Sequence, residues 1–238
     1  MIPDVLSVLS HNAYHKFKKT GYPESKLKIW PAFRYEHIFT NKNDDVIKFE
    51  NNTIQLLVAT STSLQSSIEL LSKTIIAIKN IRNLSVRVRL HPRVGSEVEI
   101  MNCVNKICNT QQLPNNITVS NARSLEDDLH WANAVALSGT GLEYEASFYG
   151  CYTIFVRSQC NLDMNSMDYQ DHDKVVQSIE GLHNTLTNLS NQSKIENKTT
   201  WQDERCDYHF QPITNDGIKD IVELFGYSDN KIISHSNA

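Results

Sequence analysis

At 238 residues, 40% hydrophobic and with only eight Gly and six Pro, the chain has the apolar content to bury one large core, or one domain and part of a second. Its 23 basic and 27 acidic residues leave a formal charge of −4, which offers no basic surface to nucleic acid or anionic lipid. No stretch approaches the roughly 20 apolar residues of a membrane span. The opening MIPDVLSVLSHN has neither the basic start nor the apolar run of a secretory leader. Five cysteines (Cys103, Cys108, Cys151, Cys160 and Cys206) are odd in number and lack CxxC spacing, so free thiols in a reducing, cytoplasmic setting are expected, with no metal site.

In chain order, a short apolar run over 4–10 predicts a buried strand. A polar helix over 12–20 stops at Gly21, with Pro23 just beyond, and a brief strand at 28–30 is broken by Pro31. The polar, charged run over 40–52 reads as a linker. Residues 1–45 are therefore expected to be the tail of one domain and a linker, and residues 46–238 a second domain.

From Thr53 onwards, apolar strands at 54–59, 86–90, 117–119, 134–137 and 152–156 alternate with helical patterns at 64–80, 97–109, 124–131 and 142–149. This alternation predicts βαβ units: an α/β fold with a parallel sheet flanked by helices. Ser124 and Asp127 form a capping signature for the third of these helices. Residues 157–206 lose the regularity and are expected to hold one helix plus loops. An amphipathic helix over 216–225 and a frayed end close the chain. No internal repeat is visible.

Ligands of such sheets bind outside the carboxyl ends of the strands, and three sequence features fall there. The first is Ser138-Gly139-Thr140-Gly141. Small residues admit a ligand close to the backbone, and amides at a helix start favour phosphate. The same residues also suit a plain turn in which Thr140 caps the helix and Glu143 closes a capping box, which sets Glu143 aside. Glu145, one turn further on, is either a solvated helix residue or an acceptor for sugar hydroxyls. The second feature is His91-Pro92-Arg93, where His91 and Arg93 are placed to neutralise phosphate; the bland alternative is a His capping the sheet and an Arg in solvent. Arg87 and Arg89 fall on the solvated or flanking side. The third is the turn over 60–63, where Ser61 and its neighbours either hold a phosphate or only cap the next helix. No Gly-x-Gly-x-x-Gly, Walker, Gly-x-Ser-x-Gly or His-x-x-x-His pattern is present.

These residues resemble the C-terminal domain of GT-B-fold glycosyltransferases, in particular bacterial enzymes that use CMP-sugars, such as the Kdo transferases of capsule and lipopolysaccharide synthesis and the bacterial sialyltransferases. Three stretches carry the resemblance: Gly21-Tyr22-Pro23 with the run from Lys28 to Tyr35, Arg89-Leu90-His91-Pro92-Arg93, and the segment from Ser124 through Ser138-Gly139-Thr140 to Glu145-Ala146-Ser147-Phe148-Tyr149-Gly150. It implies a Rossmann-like donor-binding half that transfers a sugar from a nucleotide-sugar, with CMP favoured, to a surface polysaccharide or lipopolysaccharide acceptor. His91 would contact and stabilise the departing phosphate, with Pro92 shaping the bend. The turn from Ser138 to Gly141 would meet phosphate and Glu145 ribose. No cofactor is implied. The family's acceptor-binding N-terminal domain is missing apart from a last strand and helix, which points to a separate N-terminal domain or partner chain. Two rivals stand beside this reading: a non-catalytic nucleotide-sugar-binding or assembly module, and an enzyme of the UDP-N-acetylglucosamine 2-epimerase type.

Overall fold

The structure is a computed structural model that describes residues 3–36, 53–109, 113–121, 124–159, 174–191 and 213–224. The expected linker over 40–52, Cys160, Cys206 and much of the irregular stretch over 157–206 lie outside these residues. Two compact units are present, Met1–Asn43 with Thr199–Ala238, and Asp44–Lys198.

In the first unit, β1 (Leu6–Val8) pairs in parallel with β2 (Leu27–Ile29), Leu6 opposite Leu27. Helix α1 (His11–Lys19) lies between them in the chain. Ser10 starts it by accepting the Ala13 amide, and Lys16, Lys18 and Lys19 in the last turn offset the helix dipole. The last described helix, α7 (Asn215–Leu224), groups with this unit. Gly217 is the local reason. A Cβ there would stand 2.8 Å from the Pro31 ring, so only glycine lets the helix come this close.

The second unit is a six-stranded sheet. Its strands are β3 (Ile54–Ala59), β4 (Leu84–Arg89), β5 (Ile117–Val119), β6 (Ala134–Leu137), β7 (Tyr152–Val156) and β8 (Lys174–Val176). They lie in the order β5-β4-β3-β6-β7-β8, and every neighbouring pair is parallel. The helices are α2 (Leu64–Ala77), α3 (Glu97–Cys108), α4 (Leu125–Trp131), α5 (Leu142–Phe148) and α6 (Ile179–Ser190). The pleat divides the core in two. Ile54, Leu56, Val58, Val86, Val88, Ala134, Ala136, Ile154 and Val156 pack with α2, α3 and α6 on one face. Leu57, Ala59, Val135, Leu137 and Phe155 pack with α4 and α5 on the other.

The alternation read from the sequence accounts for five of these strands; β8 was not foreseen. It is a three-residue strand inside the polar stretch, too short to carry a period of its own, and it exists because it completes the sheet beside β7. Ser178 then caps α6 by accepting the Gly181 amide, and Leu182, Leu186 and Leu189 turn inward.

The connections run outward from β3 through β4 to β5, then return to the other side of β3 and run through β6 and β7 to β8. The reversal falls between β3 and β6, the switch point beyond whose carboxyl ends sheets of this kind bind their ligands.

Candidate functional site

Thr60 is the first residue past β3 and is buried. Its amide reaches the carbonyl of Arg89, and its hydroxyl accepts the His91 amide at 2.8 Å. The turns leaving β3 and β4 are thus one hydrogen-bonded unit. Within it, His91 Nδ1 accepts the Arg93 amide at 3.1 Å, which assigns the ring proton to Nε2 and makes that N–H the donor the ring can offer a ligand. Pro92 and Arg93 are exposed, while Val94 is buried and anchors the loop.

The hydroxyl-rich turn that follows Thr60 serves its own helix first. Ser63 is the N-cap of α2 and accepts the Ser66 amide. Ser61 accepts the Ser63 amide at 3.2 Å. Ser61 therefore stands at the strand-exit edge, with an acceptor position taken up inside the turn.

At the end of β6, Ser138 is buried and Gly139 has φ +60, a left-handed backbone that glycine adopts without strain. Thr140 Oγ1 accepts the Leu142 amide at 3.1 Å. The expected capping box is not formed: the N-cap is Gly141, with no side-chain capping bond, and Glu143 is fully buried instead of closing the turn. Glu145 is also buried, one turn before Tyr149. Burial raises the Tyr149 phenol, and the neighbouring carboxylates of Glu126 and Glu145 push it in the same direction. Helix α5 therefore carries two buried carboxylates, of which the sequence singled out one. The other, Glu143, was hidden by a capping pattern that fits the sequence and not the backbone.

Arg87 and Arg89 correct the expectation of a solvated flank. Both project onto the face covered by α4 and converge on Asp128, whose side chain is fully buried, at 2.9 and 2.6 Å. Ser120 donates to the same carboxylate, and the Arg87 guanidinium lies 4.0 Å over the Trp131 ring. Burial by itself would raise the Asp128 carboxyl; the Ser120 hydroxyl and both guanidinium groups outweigh it and hold the carboxyl below its ordinary range. The residues were on view, but their partnership depends on which face α4 covers.

Ser138 also packs close to Ser66, Glu69, Lys73, Val156 and Ser158, a group that sequence reading did not assemble, with no room between them for a water molecule. Among the described residues, no group of three His, Cys, Asp or Glu side chains is placed to hold a metal ion, and no helix is long and apolar enough to cross a membrane. Cys103, Cys108 and Cys151 are free thiols.

Strand order, parallel pairing and the position of these turns define a Rossmann-like α/β fold, a parallel six-stranded sheet flanked by helices. No protein-family model matches the chain, and no curated protein matches its sequence. Solved structures do match. Staphylococcus aureus MnaA with UDP gives a TM-score of 0.61 at 10% identity over 94% of this chain and 60% of that one. The Methanocaldococcus jannaschii UDP-GlcNAc 2-epimerase with UDP-GlcNAc and UDP gives 0.59 at 13% identity, over 94% and 61%. The calicheamicin glycosyltransferase CalG4 gives 0.54 at 12% identity, over 95% and 53%. At such identities the likeness defines the fold. The chain spans between 53% and 61% of the length of these three structures.

Proposed function

We propose that this chain is the donor-binding half of a sugar-nucleotide enzyme, a glycosyltransferase that takes a sugar from a nucleotide-sugar. The observation that carries this reading is the gathering of the Thr60, His91 and Ser138–Gly141 exits around one switch point. His91 Nε2–H, Arg93 and the amides after Ser138 are the groups for negative charge developing on a departing phosphate, a preorganised electrostatic effect. Pro92 and Gly139 shape the two turns. Ser61, Thr140 and Gly141 line the edge, and Glu145 accepts from ribose hydroxyls.

The finer assignment is a CMP-sugar donor and a surface polysaccharide or lipopolysaccharide acceptor, supported by the His91-Pro92 and Glu145-Ala146 stretches. In this reading residues 1–45 are the tail of an N-terminal domain, and the acceptor wall comes from a further domain or partner chain. A 2-epimerase acting on a UDP-sugar is the second reading. It is favoured by two buried carboxylates, Glu143 and Glu145, on the helix that follows Ser138–Gly141.

Calorimetric titration of the chain with CMP, UDP and ADP tests the assignment. With one wall of a cleft present, micromolar to millimolar affinity is expected, about −8 to −4 kcal/mol, with CMP ahead. Preference for UDP would move the assignment to the second reading, and equal or absent binding of all three would remove both.

A further inference from the structure

Glu69 and Lys73 sit one turn apart on α2 and form an ion pair of 2.7 Å, with side chains only 14% and 11% exposed. Their remaining bonds all go to the segment that leaves β7. Ser158 Oγ donates to Glu69 at 2.6 Å, the Gln159 amide donates to both Glu69 oxygens at 3.0 Å, and Lys73 Nζ donates to the Arg157 carbonyl at 2.8 Å. Three consecutive residues are held by one pair on a helix more than 80 positions earlier. The hydroxyl of Ser158 spends its single proton on Glu69, so Ser66 Oγ, 3.4 Å away, is the donor of the contact between them. Ser66 in turn donates its amide to Ser63 in the turn that leaves β3. A continuous chain of bonds thus joins the β3 exit to the β7 exit, close beside Ser138 of the β6 exit.

An ion pair this enclosed is a weak source of net stability, because desolvating both charges offsets their attraction. What it does supply is a defined geometry for the chain beyond β7. Resting on the donor-site reading above, we propose that Glu69 and Lys73 are positioning residues of that site: they latch Arg157–Gln159 against α2, so that the β7 exit is held in place beside Ser138 of the β6 exit. Burial by itself would raise the Glu69 carboxyl; Lys73, Ser158 and the Gln159 amide overcome this and hold it at about 2, so the latch stays closed throughout the neutral range.

The test compares the full chain with Glu69→Gln, Glu69→Ala and, as the mildest change, Ser158→Ala. Amide hydrogen exchange at Gln159 reads the latch without any ligand, and titration with CMP-sialic acid and UDP-N-acetylglucosamine reads the site. Exchange at Gln159 should quicken by about tenfold or more in Glu69→Ala, with the core amides of β3 and β6 unchanged. Donor affinity should fall in the order Ser158→Ala, Glu69→Gln, Glu69→Ala, and Lys73→Met should behave like Glu69→Gln. Unchanged Gln159 exchange in a folded Glu69→Ala chain would show that there is no latch. Faster exchange with undiminished donor affinity would show a latch that serves stability alone. If the unaltered chain binds neither donor, the donor-site reading fails and the positioning role falls with it, a result distinct from either exchange outcome.

Discussion

The Thr60 hydroxyl at the end of β3 accepts the His91 amide at 2.8 Å, joining two strand exits separated by 31 residues of sequence. The bond lies next to the switch point, and it sets where the His91 ring starts from.

Replacing Thr60 with Val keeps the shape and removes the acceptor. The His91 amide then loses its partner in a part-buried site, which costs about 1–3 kcal/mol. Urea unfolding should record this loss, while Thr60→Ser should restore most of it. If Thr60→Val and Thr60→Ser unfold at the same denaturant concentration as the unaltered chain, the bond contributes nothing.

His91→Ala and Glu145→Ala separate the two proposed ligand contacts. Loss of His91 should weaken binding of CMP by about tenfold, the effect of one hydrogen bond to a charged group, and hardly touch cytidine. Loss of Glu145 should weaken both ligands alike, because both carry the ribose. Equal harm to CMP and cytidine from His91→Ala would assign the ring a structural role.

Asp128→Asn should destabilise the second unit by about 3 kcal/mol, since two guanidinium groups are left around a side chain that can no longer neutralise them. Asp127→Asn, at the neighbouring exposed position, removes a charge while keeping an oxygen that can accept the Ser124 amide, and should shift the unfolding midpoint far less. Comparable losses from the two changes would contradict the buried triad.

Acid should weaken the fold through the same carboxylates. Asp128 and Glu69 are both held below their ordinary values in the folded chain, Glu69 at about 2. A carboxylate lowered by folding contributes stability above its unfolded pKa and loses it as pH falls through the folded one. Stability should therefore be flat near neutrality and decline from about pH 5, where unfolded carboxylates begin to take up protons. Equilibrium unfolding across this range measures the slope, which should be shallower in Glu69→Gln. An equal slope would mean that Glu69 is not depressed in the folded state.

How far the candidate site could be read from the sequence differs from one strand exit to the next. The turn from Ser138 to Gly141 and the His91-Pro92-Arg93 loop were legible because strand, turn and helix follow one another within about ten residues, and the carboxyl edge is implied by parallel pairing. Ser124 and Asp127 form their expected capping box for the same reason: both partners sit in one turn of backbone. Glu143 shows the limit of that reasoning. Its spacing from Thr140 suits a capping box, yet Gly141 takes the N-cap and turns Glu143 into the core.

What the sequence by itself determined is the alternation of β and α, and with it a parallel sheet whose strand exits share an edge, because apolar period and turn chemistry are local properties. Tertiary structure alone decided the rest. Asp128 meets Arg87 and Arg89 across 41 and 39 residues, and Glu69 meets Ser158 and Gln159 across 89 and 90. Such partnerships depend on which helix covers which face and on the register of strands far apart in the chain. Neither leaves a periodic trace in the sequence, since a single polar residue at a core-facing position looks the same whether its counter-charge or water stands opposite.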